Sequence, residues 1–489
     1  MSVVHVRRSQ IHRLQAFLLV FEAPIHQYRL ESKKGITPVL DSFCYLLKLL
    51  IKAFVQGDYS MKRQLIEFLL FASGIALLCP TAMAQKTVAI HAGRLFDGTS
   101  DRLLSNQVIV IEGDRISEVG PADKIKTPAG AEEVDLRNAT VIPGLIDGHA
   151  HMFKWKATKY SQQMLQTNSP QYRTIEAVLN AKKDLDAGFT TMRDCGSMGA
   201  MYSDTDLRRA INEGLVPGPR LQVATMPLIG SLGMPEERVS PGLTVPSMHR
   251  VVDSPWEGRK AVREEIKYGA DFIKLFPGNH GSAGNLGVQP TMTVEEETAI
   301  VEEAHRLGVK AACHTAAGVT VLESVEAGCD SIELAVDFDA KTAARMAEKG
   351  TFLLMDLSNK KAWEPIDLKV SQGKWSQAEI QKASFQRALH AGVKFAFGAN
   401  AASSAEDHGG QAKDFEYMVQ YGMTPSQALR AATAVGADLM GWRDRVGTIE
   451  NGKYADIIAV SGNPLTDITE LERVKFVMKG GAIVRNDLK

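Results

Sequence analysis

Between residues 141 and 440 the chain alternates strand-like apolar runs with helix-like segments, and this alternation limits the fold more than any other feature. Eight runs are read, at 141–147, 189–195, 220–226, 272–277, 309–315, 331–336, 352–357 and 394–400. Helical segments such as Ile175–Ala187, Thr293–Leu307 and Pro425–Thr433 lie between or after them. Eight strands with crossover helices predict an α/β chain in the form of a (β/α)8 TIM-like barrel over 141–440. Such a barrel carries its chemistry at the C-terminal ends of the strands.

The flanks read differently. Residues 86–140 alternate short strands with Gly, Asp and Pro turns, and residues 446–489 do the same. Neither piece buries a good core alone, so the two are expected to pair into one small β-sandwich. A length of 489 residues accommodates a barrel plus this accessory part. A net charge of −1 gives no electrostatic reason to expect nucleic acid. The expected partner is a small-molecule substrate, and a homo-oligomer is left open.

From Met61 the sequence reads as a secretory signal peptide. Lys62 and Arg63 form a basic start, Phe68 to Cys79 a short apolar core, and Ala82-Met83-Ala84 a small-residue cleavage site. The apolar core is too short for a permanent membrane anchor, and bulky Leu78 argues against lipidation of Cys79. This pattern predicts a periplasmic or secreted protein cut after Ala84. Residues 1–60 are read as an upstream mis-start, or else as a real extension. Cys195, Cys313 and Cys329, a sparse odd set, are expected to be plain thiols rather than a disulfide framework.

The run Val141-Ile-Pro-Gly-Leu-Ile-Asp-Gly-His-Ala-His151 ends on two histidines one residue apart. On a strand, His149 and His151 share a face, about 6.5 Å apart along the chain. They can converge on one divalent metal, zinc first among the choices. The alternative is a pair of satisfied surface or core histidines.

This segment resembles the opening strand of the metal-dependent amidohydrolase superfamily. Gly188-Phe-Thr-Thr-Met-Arg-Asp, Gly269-Ala-Asp-Phe-Ile-Lys, Gly422-Met-Thr-Pro-Ser-Gln-Ala-Leu and Gly452-Lys-Tyr-Ala-Asp-Ile-Ile-Ala-Val extend the likeness over residues 86–489. It is nearest to the imidazolonepropionase-like, Xaa-Pro-dipeptidase-like and ochratoxin-hydrolysing groups. The resemblance implies metal ligation by His149, His151, Lys274 and His314, with one or two ions. It also implies carbamylation of Lys274, since a bare ammonium beside a cation would be repelled. His408 matches a position near the site that orients substrate.

Two positions depart from the family pattern. After Gly328-Cys-Asp-Ser-Ile-Glu a histidine is expected and Leu334 stands there. At the end of Phe395-Ala-Phe-Gly-Ala an Asp is expected and the residue is Asn400. The loop Gly230-Ser-Leu-Gly-Met-Pro also lacks a histidine that the family often carries. Leucine cannot ligate a metal, and a neutral amide is a weaker ligand than a carboxylate. Asn400, at the catalytic position, cannot take a proton from water, and losing such a group typically costs about 10²–10⁴-fold in rate. Asp407, Glu406 and His280 lie nearby and read as solvated loop residues.

Two readings follow. In the first, the protein is a metal-dependent hydrolase of the C–N bond in a small N-acyl amino acid, dipeptide or related amide. In the second, it is a catalytically weakened paralogue that binds a small molecule.

Overall fold

Apolar runs without polar alternation mark strands buried on both faces, and the strands Leu145–Ala150, Phe189–Asp194, Phe272–Phe276, Ser331–Glu333 and Phe352–Leu354 are buried at every position. A computed structural model describes residues 86–154, 167–233, 240, 242, 247–278, 290–358, 377–401 and 407–488. The chain divides into two compact units, Met1–Ala84 and Gln85–Lys489. The first contains both the leader-like segment and residues 1–60, and lies outside the described residues, as do His280 and Glu406.

Four strands come from the N-terminal flank: β1 (Thr87–Leu95), β2 (Leu104–Glu112), β3 (Arg115–Pro121) and β4 (Glu132–Pro143). Ten follow in the central region: β5 (Leu145–Ala150), β6 (Phe189–Asp194), β7 (Arg220–Val223), β8 (Leu228–Ile229), β9 (Arg250–Val251), β10 (Phe272–Phe276), β11 (Lys310–His314), β12 (Ser331–Glu333), β13 (Phe352–Leu354) and β14 (Lys394–Phe395). The C-terminal flank adds β15 (Ile457–Val460), β16 (Phe476–Lys479) and β17 (Ala482–Asn486).

The two flanks pair as expected, but in a different form. All seven of their strands lie in one sheet, ordered β17-β16-β15-β4-β1-β2-β3, where a sandwich would put them in two. β4 makes this possible. It runs parallel to β1 on one side and antiparallel to β15 on the other, with Val141 opposite Ala459. Val88, Ile90, Ile109, Leu136, Ile457 and Phe476 form the core of this sheet. The first expected strand, 141–147, is also divided. β4 ends at Pro143 and β5 starts at Leu145, because Gly144 passes so close to Thr190 that a Cβ there would lie 2.1 Å from its Oγ1.

The central strands form two parallel sheets, β5-β6-β7 and β14-β13-β12-β11-β10-β8-β9. Their edges meet. Gly148 N–H donates to the Phe397 carbonyl at 2.8 Å, and Asn400 N–H to the His149 carbonyl at 2.8 Å. On the other side Asp271 N–H donates to the Val223 carbonyl at 2.8 Å. Gly398 permits the first junction, since a Cβ there would sit 2.9 Å from that of His149. Short β8 and β9 were not anticipated from sequence; two-residue pairings leave no periodicity to read.

Helices return the chain between strands, and local sequence sets their starts. Ser169 caps the helix Pro170–Asp186 by accepting from Tyr172 N–H, with Pro170 opening the first turn. Thr293 and Glu296 form a reciprocal capping box at the helix Val294–Arg306, and Thr424 with Gln427 does so at Pro425–Ala431. No described helix is long and apolar enough to cross a membrane.

The cysteines correct the expectation of plain thiols. Cys313 and Cys329 are disulfide-bonded, with Cα atoms 6.1 Å apart, and Cys195 is the free thiol among the described residues. Cys313 points to the face of β11 opposite that of His314, as alternation requires. There it meets Cys329, in the turn that leads into the adjacent β12. Glu297 Oε1 lies 3.3 Å from Cys329 Sγ, and burial pushes this carboxyl up to about 8. In the chain-entropy account a bridge across 16 positions contributes about 3 kcal/mol. The variant Cys313→Ser/Cys329→Ser is therefore expected to lower unfolding free energy by about that amount in urea titrations. An unchanged midpoint would mean the bridge does not form.

Candidate active site

His149 and His151 stand at the end of β5, on backbone continuous with the strand's ladder. His149 is fully buried, and its Nδ1–H donates to Glu333 Oε2 at 2.6 Å. Glu333, the last residue of β12, is in turn held by Arg193 of β6 and by the Ser331 hydroxyl at 2.5 Å. Arg193 also donates from Nε to the Gly148 carbonyl at 2.7 Å. The result is a buried chain, Arg193–Glu333–His149, that fixes both the tautomer and the ring plane of His149. Its Nε2, the other ring nitrogen, is buried with no hydrogen-bond partner among the described residues.

The electrostatics agree with this assignment. Burial, reinforced by the Lys274 charge, lowers His149 to about 4, so the ring is neutral at ordinary pH and keeps a lone pair on Nε2. Burial also holds His151 well below the usual histidine range. Burial opposes ionisation of Glu333, but the Arg193 charge and the His149 hydrogen bond outweigh it and hold this carboxyl well below the glutamate range.

Lys274, at the middle of β10, is fully buried, and its Nζ has no hydrogen-bond partner among the described residues. It sits 5.0 Å from the centre of the Phe276 ring. Burial pulls its ammonium below the usual lysine range. His314 ends β11 and packs its ring 4.5 Å from Phe276, whose other neighbour is His249 at 4.8 Å. Phe276 thus contacts both imidazoles and the lysine. His249 is a buried histidine beside the site that sequence reasoning missed.

The expected ligands thus lie at the C-terminal ends of β5 and β11 and in the middle of β10. The His149 and His151 ring centroids are 5.3 Å apart. The donor atoms of His149, His151 and His314 do not all lie within 4.8 Å of one another. Two other groups do reach that spacing, His149–Cys195–Glu333 and Glu297–Cys313–Cys329. Neither suits a cation: burial pushes Cys195 up to about 12, Glu333 is engaged by Arg193, and the second group contains the disulfide. The donors that fit are those with unspent lone pairs, His149 Nε2 and Lys274 Nζ in its uncharged form.

The two departures from the expected pattern share a backbone feature. Leu334 has φ +66° and Asn400 φ +54°. Asn tolerates the left-handed region, whereas for Leu it is costly, on the order of 1 kcal/mol. Asn400 donates from Nδ2 to Asp356 Oδ2 at 3.3 Å, and its Oδ1 is buried without a partner among the described residues.

His408 does not face substrate through its ring nitrogens. Nδ1 bonds Asp184 Oδ2 at 2.8 Å and Nε2 bonds the His151 carbonyl at 3.2 Å. Both partners are acceptors, so both bonds are made at once by the imidazolium. Burial opposes that charge, but Asp184 raises His408 above the usual histidine value. The expected substrate-orienting role is therefore corrected to one of holding the backbone at His151. Asp407 accepts from His408 N–H at 3.2 Å within its own loop, as a loop residue should.

Residues 140–484 match the model of the Amidohydrolase family. Ochratoxinase from Aspergillus niger is 28% identical over 436 residues, which cover 82% of this chain and 87% of that protein. Among solved structures, a Xaa-Pro dipeptidase with methionine bound in its active site aligns with a TM-score of 0.71 and 32% identity, over 82% of this chain and 100% of that one. A prolidase complexed with N-methylphosphonate-L-proline aligns with a TM-score of 0.72 and 28% identity, over 82% and 100% of the two chains.

Proposed function

Because the chain belongs to the amidohydrolase family, hydrolases acting on carbon–nitrogen bonds, we propose that it cleaves a small N-acyl amino acid, a dipeptide or a related amide. The observation that carries this reading is the pair of buried, unspent donors, His149 Nε2 on β5 and Lys274 Nζ on β10. His149, His151, Lys274 and His314 would hold a divalent cation, with zinc the best match to imidazole ligands. The uncharged form of Lys274 favoured by burial is also the form that can be carbamylated. Bound there, the cation supplies Lewis acidity toward the amide carbonyl and toward water. Leu334 offers no donor, so one ion rather than two fits the residues present.

The chain's own residues do the rest. Arg193 and Glu333 keep His149 in one tautomer, and His408 holds the backbone carbonyl of His151. Phe276 packs against the rings of both His249 and His314 and lies beside Lys274, which fixes the position of the His314 ring. The reading includes closure of the parallel strands into one (β/α)8 barrel, supported by the hydrogen bonds that join the two sheets at both edges. It also includes a periplasmic or secreted location, supported by the leader-like pattern from Met61 to Ala84.

Leu334 and Asn400 favour a second reading, a weakened paralogue that binds small molecules without turnover. Amine release from a panel of N-acyl amino acids and dipeptides separates the two. The first reading expects cleavage of at least one compound, lost after chelator dialysis and restored by zinc. A zinc-loaded protein that binds panel members and cleaves none would establish the second.

A further inference from the structure

We propose that Asp356, hydrogen-bonded to the Asn400 side chain, is the proton-transfer group of this enzyme. The proposal rests on the C–N hydrolysis reading above.

Asp356 lies two residues past the end of β13, on the side where β5, β10 and β11 present His151, Lys274 and His314. It is 5% exposed. Its Oδ2 accepts from Asn400 Nδ2 at 3.3 Å, and the Ser358 hydroxyl is 3.5 Å from Oδ1. Its own backbone carbonyl receives Gln381 Nε2 at 2.8 Å, which ties this turn to the helix Gln377–Ala391. Asn400 is anchored on its other side, through N–H to the His149 carbonyl at 2.8 Å. A short chain of bonds therefore runs from Asp356 through Asn400 to the backbone of a proposed metal ligand. Asn400 Oδ1 remains an unspent acceptor at the same place, suited to the second hydrogen of a water or to a substrate N–H.

The other carboxylates nearby make different contacts, and Asp147 Oδ2 and Asp194 Oδ2 are buried without a hydrogen-bond partner among the described residues. Glu333 belongs to the Arg193 pair, and Asp184 to His408. Asp147 accepts the backbone N–H of His149 at 3.0 Å and of Ala399 at 3.4 Å. Asp407 is turned to its own loop. Asp356 is the carboxylate, among the described residues, in hydrogen-bond contact with the side chain at position 400.

The step balances without a co-reactant. As the water oxygen bonds to the amide carbon, one water proton passes to Asp356 and the carbonyl π pair moves onto oxygen. The C=O bond then re-forms, the C–N bond breaks, and the proton on Asp356 goes to the departing nitrogen. One water is consumed, and a carboxylic acid and an amine leave.

Three variants of the full chain test this: Asp356→Asn, Asn400→Asp and the two together, which exchanges carboxylate and amide between the strands. Each is loaded with zinc, checked for metal content and thermal midpoint, and titrated calorimetrically with an uncleavable N-acyl amino acid analogue. The best amide of the panel is the substrate. Asp356→Asn is expected to lose about 10²–10⁴-fold in kcat, with analogue binding and metal content unchanged. It should also lose the acidic limb of the pH–kcat/KM profile. The exchange variant should recover to within about tenfold of wild type and regain that limb, since one carboxylate of the pair suffices. Asp356→Asn within threefold of wild type would overturn the proposal, as would a folded, zinc-loaded exchange variant no faster than Asp356→Asn. If Asp356→Asn fails to fold, the exchange variant is compared with wild type instead: kcat within about tenfold supports the proposal, and a folded, zinc-loaded exchange variant slower by about 10²-fold or more overturns it. A wild type that cleaves no amide overturns the functional reading and this proposal with it, a result distinct from failure of Asp356 alone.

Discussion

Replacing His149 and His151 together by Ala is expected to reduce bound divalent metal from stoichiometric to background. His149 presents a neutral ring whose Nδ1–H is held by Glu333 and whose Nε2 has no other use. Without the two imidazoles, Lys274 and His314 are too few to hold an ion against water. Removing only the support, by Glu333→Gln, should weaken binding by about 10–100-fold, because the ring is no longer oriented by a carboxylate. Elemental analysis after gel filtration, with circular dichroism to verify folding, gives the answer. Stoichiometric metal in the folded double variant would place the site elsewhere.

The second large effect concerns stability. Arg193→Met should destabilise the protein by about 3–5 kcal/mol, because it strands the fully buried Glu333 carboxylate without its cation. Adding Glu333→Gln should return part of that loss, since the uncompensated charge is then gone. Urea titrations of the two singles and the double measure the coupling, and strict additivity would contradict it. The pH dependence has a definite sign. Glu333 is held below its ordinary value of 4.5, so its contribution is complete above pH 4.5 and declines as pH falls below it. Wild type should lose stability faster than Glu333→Gln as the pH is lowered from 4.5.

Much of this site was legible in the sequence because a strand end is a local signal. His149, His151 and His314 close apolar runs, and the structure puts them at or just past a strand's C-terminal end, whereas Lys274 stands mid-strand in β10 with Leu275 and Phe276 after it. Arg193, Glu333 and Asp356 close such runs too, in Thr-Thr-Met-Arg, Asp-Ser-Ile-Glu and Leu-Leu-Met-Asp. A charged residue at the end of a buried strand was therefore the available signal. What it could not convey was the pairing, since Arg193 and Glu333 are 140 positions apart and meet only when β6 and β12 are set in one fold. The disulfide was hidden for a similar reason. Cys313 and Cys329 are 16 positions apart, and only the adjacency of β11 and β12 brings them together. His408 misled because family likeness marks a position near a site, not the direction in which the ring points. Sandwich and single sheet share the same alternating pattern, so the pairing of β4 with both β1 and β15 could not be read from periodicity.

The central claim is that His149, His151 and Lys274 form a working cation site despite Leu334 and Asn400. Elemental analysis of the wild-type protein, purified without chelator or added metal and then equilibrated with zinc, tests it most directly. The account predicts about one equivalent of divalent metal per chain, since the two buried histidines with Lys274 and His314 supply donors for one ion. A content near zero after zinc equilibration, in a folded protein, would contradict it.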